Sequence, residues 1–138
     1  MKRLALSLLL SALALALPAA AHAAPTSAVT DRSAKVEIIE STPDGQTETV
    51  TMVFLIHPKQ SVSQEISDGT TSYDLDFSLA GPHKGGIGFK LELERGSGPG
   101  YHHVTQLEGS GTIKLGSRTV VSSLRYGDRE LSVALTLK

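Results

Sequence analysis

Residues 73–79 read Tyr-Asp-Leu-Asp-Phe-Ser-Leu. Odd positions are apolar and even positions polar, the period of a β-strand with one face in a core and the other in water. Two later stretches repeat it. Ile87, Phe89, Leu91 and Leu93 alternate with Gly88, Lys90, Glu92 and Glu94, and Leu131, Val133, Leu135 and Leu137 alternate with Ser132, Ala134 and Thr136. Turn residues separate the alternating runs: Pro43-Asp44-Gly45, Pro58, Asp68-Gly69, Gly85-Gly86, Gly96 to Gly100, Gly109, Gly116 and Gly127-Asp128. From Lys35 onward no segment carries a helical stripe. The pattern predicts an all-β fold: an antiparallel β-sandwich of about eight or nine strands in one domain over residues 34–138.

One stretch departs from strict alternation. Val50, Met52, Phe54 and Ile56 share a face while Val53 and Leu55 occupy the opposite one. A strand apolar on both faces is normally buried between neighbours, so this one is expected at the centre of a sheet. The run Tyr73–Leu79 is expected to form a hairpin with Ile87–Leu93 around a loop from Ala80 to Gly86. Leu79 would face Ile87, Phe77 would face Phe89, and Asp76 would meet Lys90 on the outer face.

The chain also compares with itself. Val62, Ile66 and Gly69 fall on Val120, Leu124 and Gly127 at an offset of 58, and Tyr73, Leu75, Phe77 and Leu79 on Leu131, Val133, Leu135 and Leu137. Upstream, Lys35-Val36-Glu37-Ile38 matches Lys90-Leu91-Glu92-Leu93 at an offset of 55. These matches predict two copies of a four-stranded unit, over residues 35–80 and 90–138.

The first residues read as an export signal. Lys2 and Arg3 precede an apolar stretch from Leu4 to Leu17, Pro18 ends it, and Ala21-His22-Ala23 fits a small-x-small cleavage site. That stretch spans roughly 21 Å as a helix, short of the roughly 30 Å of a bilayer core. The expectation is a signal peptide over residues 1–23, a flexible leader over 24–33, and no transmembrane segment in the processed chain. The destination is the bacterial periplasm or the medium outside. Cleavage after Ala21 instead would leave His22 at the N-terminus, where its amine and imidazole suit copper.

Composition narrows the chemistry. The 138 residues hold 13 basic and 14 acidic groups and no cysteine. That near-neutral balance argues against a nucleic-acid partner, and with no cysteine there is neither a disulfide framework nor a thiol nucleophile. There is no G-x-S-x-G elbow, H-E-x-x-H pair or phosphate loop, so neither enzymatic activity nor a cofactor is expected. Asp74, Asp76, Glu92 and Glu94 read as a solvated face, and their spacing is not that of a calcium loop.

Four histidines remain after the signal. His102 and His103 are adjacent, so on a strand they point to opposite faces and cannot both bind one ion. A metal site would therefore combine one of them with His57 or His83, and a metal-binding protein using His57, His83, His102 and His103 is the alternative function. A small hydrolase, or an inhibitor of one, ranks below both.

The runs GTIKLGSRTVVSSLRYGDRELSVALTLK (residues 111–138) and SVSQEISDGTTSYDLDFSLAG (residues 61–81) resemble the strand–turn grammar of bacterial secretin-associated sheets. The resemblance implies a small exported β protein tied to envelope assembly and carries over no functional residue. The leading expectation is a non-enzymatic protein that binds another envelope protein or itself. Its contacts would be Tyr101, His102 and His103 after the glycine-rich loop, and Leu131, Val133 and Leu135 on Glu130–Lys138, expected as a sheet edge open to strand addition.

Overall fold

A computed structural model describes residues 30–138 apart from residues 99 and 101. The expected signal peptide, residues 24–29 of the expected leader, and Tyr101 lie outside the described residues. Eight strands follow one another: β1 Arg32–Ser41, β2 Thr47–Ile56, β3 Ser61–Ser67, β4 Thr71–His83, β5 Gly86–Ser97, β6 His103–Ile113, β7 Arg118–Tyr126 and β8 Arg129–Leu137. The first takes in the last two residues of the expected leader. Among the described residues there is no helix, and so none long and apolar enough to cross a membrane.

The strands form two antiparallel four-stranded sheets, ordered β2-β1-β8-β7 and β3-β4-β5-β6. The fold is the expected all-β sandwich. Exchanging β1–β4 with β5–β8 converts one sheet order into the other, as two copies of one unit require. The pairing agrees in detail. Ile66 faces Tyr73 and Gln64 faces Leu75, while their counterparts 58 positions on pair as Leu124 with Leu131 and Ser122 with Val133. A bulge between Val120 and Ser122 then breaks the equivalence, since Val62 faces Phe77 but Val120 faces Ala134. Each half gives one hairpin to each sheet, so the halves are interleaved.

Alternation fills the space between the sheets. Val36 and Ile38 from β1, Leu75 and Phe77 from β4, Leu91 and Leu93 from β5, and Leu131, Val133, Leu135 and Leu137 from β8 are at most 1% exposed. Phe54 meets Phe77 edge-on, with ring centroids 5.6 Å apart, a preferred aromatic geometry.

Three expectations are corrected. The β4–β5 register lies two residues away from the expected one: Leu79 faces Phe89, Phe77 faces Leu91 and Leu75 faces Leu93. The strands run on to a two-residue turn at Lys84-Gly85, whose φ values of +45° and +80° are those of a type I′ hairpin. A bulge between Leu79 and Pro82 absorbs the difference. The even shift keeps every face as expected, but Asp76 now meets Glu92 and Lys90 meets Ser78. Second, the doubly apolar β2 lies at a sheet edge, leaving Val53 and Leu55 exposed.

Third, β8 is an interior strand between β1 and β7. Pairing of the chain's two ends covers it, Val36 with Leu135 and Ile38 with Val133. Leu131, Val133 and Leu135 are therefore core residues without a surface to offer a partner. Leu135→Ala is expected to lower stability by about 2–5 kcal/mol, read in urea denaturation as a lower midpoint at an unchanged slope.

Candidate functional site

Antiparallel connectivity brings alternate turns to the same end of the sandwich. One end gathers the start of β1, the β2–β3 and β6–β7 links, the β4–β5 hairpin and the end of β8. The other gathers the β1–β2, β3–β4 and β7–β8 turns and the glycine-rich β5–β6 loop. His57 follows β2 and His83 closes β4, at the first end, while His102 and His103 enter β6 at the second. A ten-residue strand spans roughly 33 Å, so the expected combination of His102 or His103 with His57 or His83 is not formed. Among the described residues no three His, Cys, Asp or Glu side chains gather around a point able to hold a metal ion. His57 instead hydrogen-bonds Asp31 at 2.8 Å, joining the residues just outside β1 and β2.

The outer face of the second sheet is acidic. Across its strands Glu65 faces Asp74, Asp74 faces Glu94, Asp76 faces Glu92, and Glu92 faces Glu108. Lys90, paired with Glu92, is a cation in this field. Like charges placed opposite one another disfavour close approach of any surface of the same sign.

Strand β2 offers the opposite kind of surface. Among the described residues it pairs with β1 on one side and with no strand on the other, leaving a row of backbone N–H and C=O groups without ladder partners there. Its outward side chains are Thr47, Thr49, Thr51, Val53 and Leu55, none of them charged. Val53 is 63% and Leu55 71% exposed. Lysine, proline and bulges are the usual guards of a free edge, and Thr47–Ile56 contains none of them. The inner face explains why the strand stays in place: Met52 and Ile56 are 1% exposed, and Val50 and Phe54 pack against the same core.

Inside the second end of the sandwich is a polar cluster that was not anticipated from the sequence. Glu40, at 2% exposure, lies on the inward face of β1 beyond Ile38. Arg95 donates to it through Nε at 2.7 Å and through a terminal nitrogen at 3.0 Å. Tyr73 donates at 3.2 Å, Arg129 at 2.8 Å, and the Tyr126 hydroxyl also donates. The Arg95 guanidinium lies 5.9 Å from the Tyr73 ring centre and 5.5 Å from that of Tyr126, within cation–π range. Burial raises the Glu40 carboxyl, but the hydrogen bonds from Tyr126, Arg129 and Arg95 outweigh it and hold the group below its ordinary value. Burial, aided by the bond to Glu40, pushes the Tyr126 hydroxyl up to about 12. A carboxylate so stabilised is a weak base, and its oxygens are already taken by four side chains. The arrangement suits a structural clasp better than proton transfer.

Comparison with known protein families, curated relatives and solved structures returns no match. What the chain does must therefore be read from its own geometry.

Removing one partner of a buried ion pair strands the other. Glu40→Gln is expected to cost about 3–5 kcal/mol. Because folding lowers the Glu40 pKa, its contribution is present above the ordinary carboxylate value of 4.5 and is lost as pH falls through the folded value. Urea midpoints of wild type and Glu40→Gln should therefore converge as pH drops from ~5 toward ~2.

Proposed function

We propose that this is a non-enzymatic binding protein, exported to the bacterial periplasm or beyond, that works by pairing strands through the free edge of β2. The observation that carries the reading is that edge itself: ten residues long, uncharged on its outward face, and without a guard. The export signal read in residues 1–23 supports the location.

The occupant favoured by the charge pattern is a second copy of the chain. Two β2 strands paired antiparallel about Thr51 place Thr49 against Val53 and Thr47 against Leu55. Glu48, the strand's charged residue, then meets Phe54 rather than another carboxylate. Backbone groups supply the attraction and the outward Val and Leu side chains add apolar contact, the ordinary energetics of strand addition. The two sheets would join into one of eight strands, with the acidic faces of the other sheets kept out of the contact.

Sedimentation across a concentration series tests this. The wild-type chain should pass from monomer to dimer. Val53→Lys, which places two ammonium groups near the joint, should remain monomeric while its unfolding free energy from urea denaturation changes by no more than about 0.5 kcal/mol, as for other exposed positions. A wild-type chain that stays monomeric up to its solubility limit would refute the reading.

A further inference from the structure

The inward face of β1 carries a charge at each end. Glu40 lies at one end and is met by Arg95, its counterpart at the offset of 55 between the two halves, and by Arg129. Arg32 lies at the other end, in phase with Ala34 and Val36, and its counterpart at the same offset is Ile87, which carries no charge. Among the described residues no carboxylate pairs with Arg32, and its Nε is buried without a hydrogen-bond partner. Leaving such a group unmet incurs its desolvation penalty, and more so when it is charged.

Arg32 lines a cavity of about 690 Å³ between the β4–β5 hairpin, the β2–β3 link and the β6–β7 turn. This volume falls within the usual range of small-molecule sites. The walls are apolar: Pro58, Ala80, Pro82, Ile87 and Leu115. Leu115 is 46% exposed, large for an aliphatic side chain, and no described residue covers it further. Lys84, Lys114 and His83 line it beside Arg32, and among the described residues no Asp or Glu takes part in it. Lys84 occupies the first position of the type I′ turn with φ +45°, where Asn, Asp or Gly is favoured. A lysine held there keeps an ammonium group beside the cavity at a backbone cost.

From this we infer that the cavity binds an amphipathic anion: an aliphatic chain lying along the proline, isoleucine and leucine walls, with a carboxylate or phosphate head between Arg32, Lys84 and Lys114. The head group meets the unpaired guanidinium, and the chain covers Leu115. The site is built from the inward Arg32 and the turns at this end of the sandwich rather than from the outward side chains of β2, and anion binding there does not depend on strand pairing.

The test uses the processed chain with sodium laurate, kept below its micelle-forming concentration, followed by titration calorimetry and by amide chemical shifts. Laurate should bind with one-site stoichiometry, shift the amides of Arg32, Lys84, Gly85 and Leu115, and bind more weakly as salt is added. Arg32→Gln and the exposed Lys114→Gln should each weaken binding at least tenfold, the second serving if the first disturbs folding. Val53→Lys should bind as wild type does. Dodecyl phosphate binding in place of, or better than, laurate supports the same anionic site and identifies the preferred head group. Dodecanol binding as tightly as laurate would overturn the inference, as would affinities unchanged in both charge variants. Binding seen only after deletion of residues 24–29 would also overturn it, since the chain's own leader would then be the occupant.

Discussion

A carboxylate withdrawn from water costs several kcal/mol unless charge and hydrogen bonds are waiting for it. Glu40 is received by side chains from four strands: Tyr73 from β4, Arg95 from β5, Tyr126 from β7 and Arg129 from β8. With β1 itself, five of the eight strands converge on one group, two from one sheet and three from the other. Apolar contact between sheets is tolerant of small slides, whereas bonds to a single carboxylate are directional. The cluster thus sets how the sheets face each other at that end, and the leucine and valine layers fill the spacing it defines.

The two ends of the sandwich solve different problems. Equivalent positions in the two halves hold Glu40 and Arg95 at one end, so repetition of the unit with a change of residue generates a matched pair across the interior. At the other end the equivalent positions hold Arg32 and Ile87, a cation facing an aliphatic chain. One end is electrically complete from within, and the other has a charge to spare and room beside it.

Much of the architecture is legible in the order of residues because alternation is a local rule. It marks which side chains of Tyr73–Leu79, Ile87–Leu93 and Leu131–Leu137 turn inward, and the internal match foretells how the halves correspond. The β4–β5 register was not fixed by alternation alone, since a slip of two residues preserves every face; the Lys84-Gly85 turn and the bulge after Leu79 decide it. The place of β8 depends on pairing with β1 at the opposite end of the chain, which no local pattern carries. Glu40 and Arg95 were readable in principle. One further step of the alternation beyond Ile38 and beyond Leu93 puts both inside, and the offset of 55 equates them. They escape notice when alternation is traced only through apolar residues.

Interleaving of the halves bears on how the chain can be divided. Residues 32–83 supply β1–β2 to one sheet and β3–β4 to the other, and residues 86–137 do the converse. Cut between Lys84 and Gly85, each fragment would keep two hairpins with no complete sheet beneath either, and would bury its apolar face only by finding the other fragment. The chain is in this sense a dimer written on a single thread, whose folding unit is the whole and whose natural seam is a two-residue turn.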